Sequence, residues 1–174
     1  MSWKNSNWAR TLWTILRVYL GWSWFTSGFE KVFGEGSKLW VGSQAGVAVT
    51  GFLNGALTKT TGPHPDVQWW FVAFIKNFAL PHAKLFSYSV AFGELLVGAA
   101  LIFGVFTTAA LLVGMFLNFN YLLGGSVSTN PIFLLQEIIL LWAGAAAYYW
   151  GADRYLLPII HKKFPCPKVG MTEH

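Results

Sequence analysis

The chain has 174 residues, of which 55% are hydrophobic and only 11% charged. A soluble domain carries about 25% charged residues, so the composition excludes an ordinary water-soluble enzyme and points to an integral membrane protein. The formal net charge of +5 comes with no basic-aromatic stripe, so nucleic acid is not expected as a partner and the bases read as topology signals.

The first apolar run, Trp8 to Val32, opens near Lys4 and Arg10. It is too long for the apolar core of a signal peptide and has no Ala-x-Ala site, so it reads as a retained spanning helix, TM1. Residues 33–83 form a mixed outer loop. Within it, Asp66–Leu80 (DVQWWFVAFIKNFAL) is apolar, carries Lys76 and Asn77, and runs into Pro81. It is too short to span and predicts an amphipathic interfacial or re-entrant segment anchored by Trp69 and Trp70. Trp40–Leu57 is a second candidate of this kind. Leu85–Phe106 reads as TM2, Thr107–Leu123 as TM3 and Ile132–Trp150 as TM4, with Pro131 in a first helical turn where its missing N–H costs nothing. Asp153, Arg154 and Pro158 close the bundle.

The expected fold is all-α: one transmembrane domain over 1–160, a four-helix bundle with an extracytoplasmic amphipathic segment between TM1 and TM2, then a cytoplasmic tail over 161–174. Lys4, Arg10, Arg154, Lys162, Lys163 and Lys168 fall on the side of the termini, whereas Lys31, Lys38, Lys59, Lys76 and Lys84 spread along the outer loop. The positive-inside rule then predicts a multi-pass plasma-membrane protein with both termini cytoplasmic. Gly93, Gly98, Gly104, Ala143, Gly144 and Ala147 suit close helix packing in lipid, which is the first expected partner.

An ionisable side chain at mid-span costs about 2.5–3.5 kcal/mol and is a functional candidate by default. TM1 carries Arg17 on one face with Gly21, Trp24, Gly28 and Lys31, and Glu30 lies beside Lys31. TM2 carries Glu94, TM4 carries Glu137, and TM3 carries Asn118 and Asn120. At the α-helical rise, Glu94 lies about 15 Å below the outer end of TM2 and Glu137 about 10 Å below the start of TM4. The carboxylates are therefore expected to meet at similar depth, bracketed by Arg17 and Lys31 in a near-neutral cluster. On this reading Glu94, Glu137 and Arg17 are the catalytic candidates, and Lys31, Trp24, Glu30, Asn118 and Asn120 bind substrate or quinone. The plainer reading has buried ion pairs that fix helix register, Lys31 and Glu30 snorkelling at the interface, interhelical hydrogen bonds from the asparagines and simple packing by Trp24.

The four histidines, His64, His82, His161 and His174, fall outside the spans, which excludes bis-His haem within the bundle. The single cysteine, Cys166, excludes an internal disulfide and a CxxC thiol–quinone pair. There is no flavin, dinucleotide or metal motif. Any redox role must borrow its centre, and a lipid-soluble quinone is the candidate cofactor, since aromatic walls and proton donors suit it.

Leu16-Arg-Val-Tyr-Leu-Gly21, Gly28-Phe-Glu-Lys31, Gly93-Glu-Leu-Leu-Val-Gly98, Gly104-Val-Phe-Thr107, Asn118-Phe-Asn120, Ser126-Val-Ser-Thr-Asn-Pro131 and Gly151-Ala-Asp-Arg154 together carry a family likeness. The chain resembles the DoxX/DoxD family of bacterial and archaeal membrane proteins. Resemblance to the DoxD branch implies the large, membrane-embedded subunit of a thiosulfate:quinone oxidoreductase, which oxidises thiosulfate to tetrathionate and works with a small partner subunit. In that setting Lys31 would attract the thiosulfate dianion, and Arg17 with Glu94 would face the quinone. Two alternatives stay open. A non-catalytic anchor or assembly partner of a redox or stress complex predicts no pocket and a fully paired charge cluster. A small-solute or proton carrier predicts water reaching Glu94 or Glu137 from both sides, and is the reading under which a homo-oligomer is expected.

Overall fold

A computed structural model describes Trp3 and residues 6–163. Lys4, Cys166, Lys168 and His174 lie outside the described residues, as does most of the tail read at 161–174. The described chain is all helical: α1 (Asn7–Phe33), α2 (Ser37–Trp40), α3 (Val47–Leu57), α4 (Trp69–Phe74), α5 (Ala83–Phe103), α6 (Thr107–Leu123), α7 (Asn130–Ala143) and α8 (Asp153–Lys163). The four long helices are sequential neighbours: α1 packs on α5, α5 on α6, α6 on α7, and α7 returns to α1. Their shared core includes Trp13, Leu20, Trp24, Val97, Leu101, Leu111 and Leu140. Helices α2–α4 gather at one end, here termed the loop end, over a second core of Val49, Leu53, Val67, Phe71 and Ile75. The opposite, terminal end carries the start of α1 and all of α8.

Local chemistry sets the helix limits. Ser6 caps α1, its Oγ accepting the Ala9 amide at 3.2 Å. Within the amphipathic stretch, α4 widens into a π-helical turn over Ile75–Ala79 before Pro81. The helix α5 ends at Phe103 rather than Phe106, because Gly104 adopts φ +65°, a left-handed conformation that closes a helix. The expected fourth helix over 132–150 also stops early. It ends at Ala143, where Gly144 takes φ +58° and its amide caps Leu140 and Leu141, and a short 3₁₀ turn follows.

Burial is inverted relative to a water-soluble protein. Arg17, Glu94, Glu137 and Asp153 are buried, while Leu96, Phe103, Phe116 and Ile132 are among the most exposed side chains. Charges inside and large apolar groups outside are what a lipid solvent requires. By length and composition α5 is able to cross a membrane, and α3, α6 and the run Asn130–Ala146 are apolar but shorter.

The tightest contact joins α1 to α5. A Cβ added at Gly28 would sit 2.6 Å from Leu95 Cα, and one at Gly98 would sit 2.7 Å from Phe25 Cβ. Gly28→Ala and Gly98→Ala are therefore each expected to lower stability by about 1–3 kcal/mol through overpacking. At Gly55 of α3 nothing lies within 4 Å, so Gly55→Ala should raise stability by about 0.5–1 kcal/mol. Thermal unfolding of the three variants in one detergent checks both signs.

Candidate functional site

Under the α3–α4 cover lies a cavity of about 550 Å³. Its walls are apolar and aromatic: Trp40, Phe52, Phe71, Phe74, Phe86, Phe116 and Tyr121 all contribute. Val113 and Phe116 of α6 line it and are themselves exposed, so the cavity meets the outer surface of the helices beside α6. The α2–α4 segment is tied down by polar contacts: Ser87 Oγ donates to Trp40 O at 2.6 Å, Tyr88 OH to Val41 O at 3.0 Å, and Lys59 Nζ to Gly125 O at 2.6 Å.

One wall of the cavity is polar. Glu94 of α5 is only 2% exposed and receives donors from two other helices. Lys31 Nζ lies 2.5 Å from Glu94 Oε2, and Ser27 Oγ donates to the same oxygen at 2.8 Å. Lys31 also donates to Ser27 Oγ at 2.7 Å, a contact allowed by their i, i+4 spacing on α1. Tyr121 OH of α6 donates to Glu94 Oε1. Lys31, Ser27, Glu94 and Tyr121 all line the cavity.

Glu137 forms a separate node and is not part of that lining. It is fully buried, and Trp24 Nε1 donates to Oε1 at 3.1 Å while Asn118 Nδ2 donates to Oε2 at 2.9 Å. Trp24 precedes Ser27 by three residues on α1, and Asn118 precedes Tyr121 by three on α6. The same two helices thus serve both carboxyl groups, about 4.5 Å apart along their axes. The Asn118 Oδ1 beside Glu137 is buried without a partner.

At the terminal end Arg17 is fully engaged by backbone. Its Nη1 donates to Leu101 O and, at 3.3 Å, to Ile102 O, the unsatisfied carbonyls of the last turn of α5. Nε reaches Ala147 O at 3.0 Å and Nη2 reaches Trp150 O at 3.2 Å. Asp153 mirrors this at the start of α6, accepting the Phe106 and Thr107 amides at 2.7 Å each. Cation at a helix C-terminus and anion at an N-terminus is the arrangement the helix dipoles favour.

A family model described as DoxX matches residues 12–123. The chain belongs to the DoxX family. No curated protein and no solved structure is found to match it. The family and the apolar helices make it a membrane protein. The DoxX match takes in Arg17, Lys31, Glu94 and Tyr121, whereas Glu137 and Asp153 lie beyond it.

The near-neutral cluster expected of Arg17, Lys31, Glu94 and Glu137 is not assembled in this DoxX chain. Lys31 pairs with Glu94, Glu137 sits one turn deeper with neutral donors, and Arg17 turns to carbonyls at the far end. Arg17 diverges because it lies seven residues, about 10 Å, before Trp24 along α1, level with the last turn of α5 and its free carbonyls. Trp24 and Asn118 belong to the Glu137 node rather than the cavity. Asn120 lines the cavity, with Nδ2 bonded to Phe116 O of its own helix at 2.7 Å. Glu30 faces away, accepting the Gly36 amide at 3.3 Å. Ser27 had no signal in the sequence beyond its place four residues before Lys31, and Tyr121 and Asp153 had none that tied them to a partner.

Removing one member of the buried pair strands the other. Lys31→Met is expected to cost about 3–5 kcal/mol, because buried Glu94 is left without its cation. Lys31→Met with Glu94→Gln should recover most of that loss, which a double-mutant cycle of unfolding midpoints in lipid measures.

Proposed function

We propose that this DoxX protein is the quinone-binding, membrane-embedded subunit of an oxidoreductase, with α1, α5, α6 and α7 crossing the bilayer and both termini cytoplasmic. The observation that carries this reading is the aromatic cavity walled on one side by Glu94, Tyr121 and Lys31. A quinone ring stacks on aromatic walls, and its isoprenoid tail leaves toward lipid past Val113 and Phe116, where the cavity meets the surface.

A quinone accepts two electrons and two protons when it is reduced. The protein supplies proton handling. Tyr121 OH holds a proton toward Glu94 Oε1, and Lys31 and Ser27 hold theirs toward Oε2. Glu94 is thereby the hub of a hydrogen-bonded relay that borders the cavity. Lys31 is engaged by Glu94, so a thiosulfate dianion is drawn by the exposed Lys38, Lys59, Lys76 and Lys84 at the loop end. Two thiosulfates joined as tetrathionate release two electrons, which matches the demand of one quinone. The cavity counts against a purely structural anchor, and its confinement to the loop-end half counts against a carrier open to both sides.

The test is thiosulfate-dependent quinone reduction by the protein in lipid, with short-chain quinone binding measured on the same sample. Glu94→Gln and Tyr121→Phe are each expected to retain binding and to slow reduction by about a hundredfold. Saturable binding with no reduction in the wild type would move the assignment to an assembly subunit. Absence of binding would overturn the quinone site itself.

A further inference from the structure

At the terminal end, two arginines meet on one aromatic ring. The Arg10 guanidinium carbon lies 3.8 Å from the centre of Tyr149, and that of Arg154 lies 4.3 Å from the same centre. Each contact is favourable alone, yet together they hold two positive charges close to each other. No carboxylate pairs with either arginine among the described residues. Asp153, next to Arg154 in sequence, gives one carboxylate oxygen to the Phe106 amide and the other to the Thr107 amide. Arg10 is half-buried. Its Nη1 makes one long contact, 3.4 Å to the neutral Asn7 Oδ1, and its Nε is buried with no partner. A buried guanidinium N–H without an acceptor is costly, and a second arginine beside it raises the demand for an anion.

The surroundings identify the anion. Trp8, Trp150 and Tyr155, all exposed, lie within two residues of Arg10, Tyr149 and Arg154 in sequence. Exposed Trp and Tyr at helix ends mark the level of the lipid headgroups, which is also the level of the phosphates. Guanidinium forks match phosphate oxygens in geometry as well as charge.

We propose that Arg10 and Arg154, gathered on Tyr149, form a binding site for the phosphate of an anionic phospholipid. A phosphate oxygen accepts from the Arg10 guanidinium on its exposed side, while Arg154, exposed, closes over a second oxygen. The site ties α1 to α8 through a lipid, so an anionic lipid adds to the stability of the fold. It lies at the end away from the cavity and does not depend on quinone chemistry.

The experiment compares unfolding midpoints of the full chain in nanodiscs of phosphatidylcholine and of phosphatidylglycerol with matched acyl chains. Phosphatidylglycerol should raise the wild-type midpoint by several degrees, and added salt should shrink the increment. Arg10→Gln with Arg154→Gln should abolish the increment, and Lys162→Gln should leave it in place. Should the double variant not fold, Arg154→Gln alone, at an exposed position, should at least halve it. Equal midpoints in the two lipids, or an increment that survives the arginine substitutions, overturns the proposal. So does an increment lost equally in Lys162→Gln, which would signal diffuse surface charge. Glycerol 3-phosphate that matches the phosphatidylglycerol effect in phosphatidylcholine discs would assign the site to a soluble phosphate instead of a lipid.

Discussion

Gly28 of α1 lies against the backbone of α5 at Leu95, and Gly98 of α5 lies against the backbone of α1 at Phe25, with no room for a side chain at either point. Gly21 repeats the contact one step lower, where an added Cβ would stand 2.9 Å from Ile102 N. In lipid, helix association gains little from apolar burial, so backbone approach and polar contacts carry it. The placement of charge follows from this approach. Lys31 lies one turn beyond Gly28 and reaches Glu94, and Arg17 lies one turn before Gly21 and reaches the last carbonyls of α5. One face of α1 therefore sets its glycine contacts between two cations that satisfy α5.

The two ends of the helices use their charges differently. At the terminal end the guanidinium of Arg17 and the carboxylate of Asp153 are both spent on backbone groups, and a Cβ at Gly104 would meet Arg17 Nη1 at 2.7 Å. Around Arg17 and Asp153 that end is closed and structural. At the loop end the charges border a cavity instead, and the segment over it is held by side-chain bonds to three carbonyls. A hydrogen-bonded cover with its own small core is the kind of element that opens locally without unfolding the rest. The proposed chemistry belongs at the end where polar groups face space, not around Arg17 and Asp153, where they fill it.

Hydropathy made the helical segments legible, because runs of apolar residues broken by Gly, Pro and polar turns mark helix limits directly. Thr107–Leu123 and the start near Asn130-Pro131 were of this type. The stop at Gly144 was not legible, since glycine between alanines also fits an uninterrupted helix packed in lipid. Sequence showed that an arginine was buried but not that the partners were carbonyls, which every residue carries and no motif advertises. Depth counting brought Glu94 and Glu137 to comparable levels, and the structure separates them by about one turn. The difference lies in which donors α1 and α6 present, a matter of rotation about the helix axis that apolar faces constrain poorly. The Ser27 and Tyr121 contacts to Glu94 were invisible for the same reason.

The pairing of Lys31 with Glu94 also bears on what the cavity accepts. A charged pair at 2.5 Å is close to neutral as seen from the aromatic walls, so a neutral ligand enters without bringing or meeting uncompensated charge. A dianion in the same place would add two negative charges beside a carboxylate whose cation is already committed, at an expense that the apolar lining does nothing to relieve. The proposed quinone and the proposed thiosulfate therefore belong to different places: the ring within the cavity, the anion outside at the lysines of the loop end. Electrons then have to cross the α3–α4 cover or arrive through a partner subunit seated on it. The cover is thus the part of the molecule where the proposed reaction and the proposed assembly meet.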